Sequence, residues 1–339
     1  MPAPSSRSFI DRSSALLVAV AAALWASDNY FRPQLVAHHL TGSQIVLVED
    51  LLISVCFLPM LFLARREVRS LGWRTWLAVA VIAVGPQAVA TVLFTDAFTY
   101  AFPRGAAPNF NVQVEIYLLY LLQPVFGLAF ARVLLRERRR PRFWPLALVA
   151  MASVYFIVFP QDPLAPFSKL GQGQLAAGVL VLGAVTLWAA GTVLGRYALR
   201  NVSFTTTTGM RFVLALPVLL VIMLVDTGPA GFGQYRLADL PSLVGLALIP
   251  GLVAMTLYYR GLSSTPASLA TLAELAFPAT LFLIYTLPAP VGLALPLQSI
   301  QVMAAIVLAV AVTALNLLKD RNIVEVVRPH DLRPAVEPI

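Results

Sequence analysis

The sequence predicts an all-α integral membrane protein. We expect ten transmembrane helices, built as two inverted five-helix repeats. Composition is the first indication, because 59% of the residues are hydrophobic and 12% are charged, against roughly 45–50% and about 25% in soluble domains. The second is a series of apolar segments, most of them close to the roughly 20 residues that cross a bilayer core. The third is an internal repeat. We therefore expect a polytopic membrane protein with no sizeable soluble domain.

The internal repeat rests on two pairs of landmarks. Leu24–Ser27, with the sequence Leu-Trp-Ala-Ser, returns 163 positions later as Leu187–Ala190, with the sequence Leu-Trp-Ala-Ala. Pro86 and Pro250 lead similar apolar stretches 164 positions apart. Because five crossings carry the chain to the opposite side of the membrane, the second repeat is expected to be inverted relative to the first. Secondary transporters commonly have this architecture.

The boundaries of the individual helices follow from the apolar runs and from the prolines that separate them. The first repeat is expected at 14–160 and the second at 172–318. The predicted helices are 14–31, 43–63, 75–99, 114–134, 143–159, 174–197, 205–225, 240–261, 266–287 and 298–318. Several prolines fall between segments or in a first turn: Pro141, Pro160, Pro163, Pro166, Pro229 and Pro241. The first segment resembles a signal peptide, but its repeat partner around Trp188 lies in mid-chain, so both are predicted to span the membrane.

The placement of arginine and lysine predicts the orientation. With the N-terminus inside, 19 basic residues fall on the cytoplasmic side and 4 on the other, and Arg211 remains inside a helix. We expect both termini in the cytoplasm and the protein in a bacterial inner membrane. The net charge of +8 sits mostly in short loops and does not indicate nucleic-acid binding. The run from Arg136 to Arg142 reads as a topology anchor or, alternatively, as a contact for anionic membrane lipid.

Catalytic and metal-binding patterns are missing from the sequence. Cys56 is the only cysteine, which excludes an intramolecular disulfide and a multi-cysteine metal site. The histidines His38, His39 and His330 lie in a loop or in the tail, and no HExxH, Walker A or GxGxxG motif occurs. We therefore expect no cofactor, no metal and no enzymatic activity. An intramembrane hydrolase that uses two buried acids is the one enzyme alternative left open.

Ionisable residues inside apolar segments are the first candidates for a site, because each costs roughly 2.5–3.5 kcal/mol at the membrane centre on insertion scales. Asp28 lies three residues after Trp25, on the same helical face, although a packing tryptophan with an acid at the interface fits the pattern too. Glu49 and Asp50 are adjacent and point about 100° apart, so only one of them faces a central cavity. Glu49 and Arg211 should differ by roughly 10 Å in depth, and we do not expect them to pair.

Two proline-interrupted helices provide further candidates. In the ninth helix Pro278 frees the backbone carbonyl of Glu274, and in the fourth helix Pro124 stands in the same relation to Tyr120, at a constant offset of 154 positions. Gln123 lies beside this notch. Interrupted helices at matching places in two halves indicate a central binding site, whereas simple kinks are the alternative.

The candidate substrate-binding residues are Trp25, Asp28, Glu49, Tyr120, Gln123, Arg211, Tyr259 and Glu274. The aromatic residues, including Tyr259 of the eighth helix, are expected to wall a moderately polar organic substrate. Gln123 is expected to hydrogen-bond it. The three acids and Arg211 are expected to meet its charges or to carry a coupling proton. Interhelical hydrogen bonding without transport remains the alternative for the polar residues.

Several of these segments resemble a known family. The tryptophan-led first and sixth helices, the sequence Gly209–Phe212, and the stretch from Leu122-Gln123-Pro124-Val125 to Leu134-Leu135-Arg136-Glu137 resemble the drug/metabolite transporter superfamily, in its EamA-like branch, over about residues 14–318. The resemblance implies a small-metabolite carrier, often an exporter, with some branches handling amino acids or related compounds. Arg211 matches a base that such proteins often carry early in the seventh helix, but the corresponding place in the second helix holds the acids Glu49 and Asp50.

These observations favour a secondary transporter that exports a small organic, amino-acid-like or related metabolite by alternating access. Its partners are expected to be that substrate and membrane lipid, with a coupling proton as one option and facilitated flux as the other. A membrane channel or a lipid-handling scaffold is the alternative function, since either uses an apolar bundle with a polar centre.

Overall fold

A computed structural model describes residues 14–103, 109–168, 175–292, 294 and 296–317 of the chain. In the first half its helices are α1 (Ser14–Trp25), α2 (Asp28–Ala37), α3 (Gly42–Leu63), α4 (Arg65–Ser70), α5 (Trp73–Ala101), α6 (Phe110–Tyr120), α7 (Gln123–Leu134), α8 (Phe143–Val158) and α9 (Ala165–Ser168). In the second half they are α10 (Leu175–Ala198), α11 (Phe204–Thr227), α12 (Leu237–Leu262), α13 (Ala267–Ala273), α14 (Ala276–Tyr285) and α15 (Ser299–Leu317). The described residues contain no strand.

The apolar helices confirm an integral membrane protein. Seven helical segments are long and apolar enough to span a bilayer, and three shorter apolar helices accompany them, at Leu118–Leu134, Phe143–Val158 and Ser299–Leu315. Large apolar side chains such as Leu63 and Val225 point outward with more than four-fifths of their surface exposed. Such a surface suits lipid rather than water.

Three predicted helices are broken in the structure. The predicted helix 14–31 ends at Trp25, resumes at Asp28 and continues to Ala37, so its second part is longer than predicted. At the break, the Ser27 hydroxyl donates to the Leu24 carbonyl over 2.7 Å, a local bond that competes with the helical ladder. The other two breaks are the expected ones, between α6 and α7 and between α13 and α14.

Two π-helical turns lie inside α5 and α12. They cover Ala83–Val89 and Ala247–Val253 and contain Pro86 and Pro250, respectively. Proline lacks the backbone N–H that an α-helix needs, and a π-turn inserts an extra residue that redirects the side chains after it. The two proline landmarks of the sequence repeat thus have the same local structure.

Helix packing pairs the two halves. α1 packs on α12, while α10, its repeat counterpart, packs on α5. α3 packs on α11, α7 on α13, and α8 on α15. Exchanging the halves converts the α1–α12 pair into the α10–α5 pair, and the α3–α11 and α8–α15 pairs are each converted into themselves.

The pair α3 and α11 runs antiparallel, as its end contacts show. The Ser43 hydroxyl at the start of α3 donates to Asp226 at the end of α11 over 2.6 Å. At the other end, Glu67 follows α3 and accepts hydrogen bonds from Ser203 and Thr206, at the start of α11. An acid at the end of each helix thus accepts hydrogen bonds from the first turn of the other helix. Free backbone N–H groups at the start of a helix need such partners.

Candidate functional site

A cavity of about 900 Å³, including its part open to solvent, lies between the two halves. Its lining residues come from both halves and are Trp25, Asp28, Arg32, Glu49, Pro86, Gln87, Thr91, Phe94, Tyr120, Gln123, Trp188, Thr192, Arg211, Phe212, Pro250, Gly251, Met255, Tyr258, Glu274 and Phe277. Pockets for small organic molecules commonly have this mixture of aromatic and convergent polar groups.

Two equivalent aromatic pairs form opposite parts of the wall. The rings of Trp25 and Tyr258 have their centroids 5.2 Å apart, and those of Trp188 and Phe94 are 4.9 Å apart. Trp25 and Trp188 are repeat counterparts, and so are Phe94 and Tyr258, which are 164 positions apart. Each tryptophan therefore packs against the partner half in the same way. Such ring pairs are rigid at little entropic cost and offer flat apolar surface to a ligand.

The interrupted helices meet beside these rings. Tyr120, the last residue of α6, lies 5.1 Å from the Phe277 ring of α14, centroid to centroid. Gln123, the first residue of α7, donates its side-chain amide to Glu274 over 2.5 Å. Both contacts cross from the fourth-helix break to the ninth-helix break, where a helix end exposes polar groups to the cavity.

Glu274 is held entirely by neutral donors. It is 3% exposed, and it accepts hydrogen bonds from Tyr258 at 2.7 Å and Thr192 at 2.9 Å, in addition to the one from Gln123. No salt bridge involves it among the described residues. The side-chain oxygen of Gln123 is buried and has no hydrogen-bond partner among the described residues. This cluster thus presents a carboxyl group and an unpaired amide oxygen to a ligand with N–H or O–H donors.

Arg32 forms a second polar cluster. Its guanidinium contacts Asp28 at 2.7 Å and Glu49 at 3.1 Å and also donates to Thr95 at 3.1 Å. Both Arg32 and Glu49 are less than one-tenth exposed. A buried arginine between two carboxylates lessens the desolvation cost of all three groups.

Arg211 heads a third cluster. Its Nε donates to the side-chain oxygen of Gln87 over 2.5 Å, and the amide nitrogen of Gln87 donates to Asp50 over 2.9 Å. Its Nη1 contacts the Tyr259 hydroxyl at 3.2 Å, and its guanidinium carbon lies 5.8 Å from the centre of the Tyr259 ring. Neutral groups therefore orient the arginine at the cavity wall.

Seven of the eight predicted site residues line this one cavity. Tyr259 does not line it, because this side chain is fully buried behind Arg211 while its neighbour Tyr258 faces the cavity. Glu49 lines the cavity and Asp50 does not, as the 100° spacing of adjacent residues requires. Glu49 pairs with Arg32 rather than with Arg211, in agreement with the depth argument.

Sequence reasoning missed three contributors. Arg32 lies one residue beyond the predicted end of the first helix at 31, and its spacing of four from Asp28 was the available signal. Thr192 lies one turn after Trp188 on the same face, and Tyr258 is the repeat counterpart of Phe94.

Among the described residues, no group of three or more His, Cys, Asp or Glu side chains is placed to hold a metal ion.

Comparisons with known proteins point to a family of membrane transporters. A family model described as the EamA-like transporter family matches residues 175–317. A riboflavin transporter, ImpX of Fusobacterium nucleatum subsp. nucleatum, is 29% identical over 173 residues, and the match covers 50% of this chain and 56% of that protein. The chain thus spans about half the length of that relative.

A solved structure described only as the crystal structure of a protein covers 90% of this chain and 97% of its own, with a TM-score of 0.63 and 17% identity. At that identity the likeness shows the fold alone. The predicted resemblance to EamA-like drug/metabolite transporters is confirmed by the family match and the relative. The apolar helices make the chain a multi-pass membrane protein.

Proposed function

We propose, from the match of residues 175–317 to the EamA-like transporter family, that this chain is a secondary transporter of a small organic molecule. The observation that carries the proposal is the cavity between the two halves, lined by repeat-equivalent residues of both. Alternating access then consists of rocking one half against the other around this site.

Ten transmembrane helices in two inverted repeats are part of the proposal. Three features support the inversion: the matched π-turns at Pro86 and Pro250, the antiparallel contacts of α3 with α11, and the exchange-related packing of the halves. From the basic-residue bias we also propose that both termini lie in the cytoplasm of a bacterial cell.

The substrate is proposed to be flat and aromatic, with a polar edge. The two aromatic pairs suit stacking on such a ring, and the Gln123–Glu274 cluster suits its N–H or O–H donors. The relative named as a riboflavin transporter makes riboflavin the first compound to test. An amino-acid-like substrate and export, both implied by the family resemblance, stay predictions, as does coupling to protons.

Counterflow in proteoliposomes tests this function. Purified protein would be reconstituted with unlabelled riboflavin inside, and uptake of labelled riboflavin would be followed beside a panel of amino acids. We expect saturable counterflow of at least one compound, because a carrier must return its site to reload. A lipid-facing variant, Leu58→Ala, serves as the matched control, since Leu58 is about half exposed on the outer surface. Non-saturating flux would favour the channel alternative, and no flux with any compound would favour the lipid-handling scaffold.

A further inference from the structure

A second polar site lies behind the cavity wall, around Asp50 and Ser54 of α3. Asp50 is fully buried and Ser54 is 1% exposed. The two residues are four positions apart and so lie one above the other on the same helical face. The Asp50 Oδ2 and Ser54 Oγ atoms are both buried without a hydrogen-bond partner among the described residues. Buried polar atoms left unpaired are costly, so this arrangement calls for a ligand.

Compared with Glu49 and Glu274, Asp50 is the buried acid whose carboxylate form is stabilised by the fewest hydrogen bonds and ion pairs. Glu49 is paired with Arg32 at 3.1 Å, and Glu274 accepts three hydrogen bonds. Asp50 accepts one hydrogen bond, from the neutral amide of Gln87, and forms no salt bridge among the described residues. A carboxylate in such a place is far more costly than a carboxylic acid.

We propose that Asp50 binds a proton during the transport cycle and that Gln87 connects this site to the cavity. The proposal rests on the proposed transport function and assigns the coupling step to a residue outside the cavity lining. A proton needs a single oxygen, which Oδ2 supplies, and its binding converts the carboxylate to the neutral acid. Two free oxygens are too few for a bound metal cation, which takes about six oxygen ligands or more in most protein sites.

The hydrogen bonds transmit this change to the cavity. Arg211 donates to Gln87, and Gln87 donates to Asp50, so both donors point toward the carboxylate. When Asp50 takes up a proton, the hydrogen-bonded series from Arg211 through Gln87 to Asp50 no longer ends in an anion. The positive charge of Arg211 then acts on the cavity without that counter-charge. Besides Arg211, the charged groups that act on Asp50 are Glu49 of the same helix and Arg32 of α2. Proton occupancy and the electrostatic potential at the cavity wall are therefore linked.

Infrared spectroscopy of the full chain, reconstituted without substrate, tests the site directly. The C=O stretch of protonated carboxyl groups would be followed across a pH titration, with ¹³C-labelled aspartate to assign the aspartic acids. We expect a protonated-aspartate band that disappears in Asp50→Asn and persists in Asp96→Asn. Asp96 is the matched control, because it is a partly buried acid that does not line the cavity. A spectrum of Asp50→Asn identical to wild type at every pH would overturn the proposal.

A second variant guards against a folding failure of Asp50→Asn. Gln87→Leu removes the one hydrogen bond that Asp50 accepts, so the aspartic acid band should shift in frequency. An unshifted band in Gln87→Leu would show that the titrating group is not Asp50.

Transport provides an independent readout. With labelled riboflavin, Asp50→Asn should retain counterflow, since the amide keeps the neutral form of the side chain, but should lose accumulation driven by an imposed pH gradient. Gradient-driven accumulation equal to wild type would also overturn the proposal. Failure of the wild-type protein to move any compound would instead contradict the proposed transport function and leave the infrared result standing.

Discussion

The Gln123–Glu274 hydrogen bond and the Tyr120–Phe277 ring contact occupy equivalent places in the two halves. Tyr120 corresponds to Glu274 and Gln123 to Phe277, because both pairs are 154 positions apart. Exchanging the halves therefore converts one contact into the other. The same backbone arrangement supplies a polar pair on one side of the cavity and an aromatic pair on the other, which gives an approximately symmetric scaffold an asymmetric binding surface.

Glu274 is expected to serve transport more than folding. Glu274→Gln keeps the size of the side chain and most of its hydrogen bonds but removes its charge. We expect transport to fall at least about tenfold, equivalent to about 1.4 kcal/mol, while thermal stability stays near wild type. The measurement is counterflow together with thermal unfolding in detergent. Glu115→Gln, which alters an acid outside the cavity lining, should leave transport unchanged; equal activity of the two variants would make Glu274 a packing residue.

Removing the arginine of the Arg32 cluster should destabilise the fold. Arg32→Ala leaves Asp28 and Glu49 without their counter-ion, and breaking a buried ion pair from one side typically costs about 3–5 kcal/mol. Thermal unfolding should show a large loss of stability, which the added change Glu49→Gln partly restores. Arg74→Gln, at an exposed position, should have little effect. A stable Arg32→Ala protein would mean that the ion pair is not formed.

The aromatic walls should control affinity for a flat substrate. Trp25→Ala and Trp188→Ala each remove one ring of a matched pair, and loss of a stacked ring is worth about 1 kcal/mol. We expect each change to weaken riboflavin binding roughly fivefold or more, read from quenching of flavin fluorescence. Trp144→Ala, an exposed tryptophan outside the cavity, is the control. Wild-type affinity in both cavity variants would argue against a stacked ligand.

Orientation can be read from cysteine labelling. In a Cys56→Ala background, Arg138→Cys and Arg200→Cys should react only with reagents that reach the cytoplasm, as the basic-residue bias predicts. Labelling of either site by an impermeant reagent in intact cells would overturn the orientation. Opposite sidedness of the two would contradict the inverted repeat, since Arg138 follows the fourth predicted helix and Arg200 the sixth, so that two membrane crossings separate them.

The contact between Glu67 and α11 should weaken in acid. Although partial burial opposes the shift, hydrogen bonds from Thr206 and Ser203 lower the pKa of the Glu67 carboxyl below its ordinary value of 4.5. A lowered pKa in the folded state contributes stability above that ordinary value, and the contribution is lost as the pH falls below it. Because Glu67 is only partly buried, Glu67→Gln should cost at most about 1 kcal/mol near neutral pH. Thermal unfolding between neutral and acidic pH should show a smaller acid sensitivity in the variant than in wild type, and equal sensitivity would exclude this role.

The sequence by itself determined the membrane class, nearly all helix positions and the neighbourhood of the site. Apolar run length sets which segments can cross a bilayer, and the cost of placing charge in lipid marks Asp28, Glu49, Arg211 and Glu274 as groups that must face an interior. Proline removes a backbone donor wherever it occurs, so the ninth-helix break beside Glu274 was predictable from local chemistry alone.

Only the tertiary structure decided which side chains meet. Arg32 joins Asp28 and Glu49 because α2 restarts after the Ser27 break and continues to Ala37, and no local pattern states where a restarted helix will point. Tyr258 rather than Tyr259 faces the cavity because the π-turn at Ala247–Val253 adds a residue before them and changes the helical phase. Adjacent residues differ by about 100° around a helix, so the facing residue is set by packing against the other half rather than by the order of the sequence.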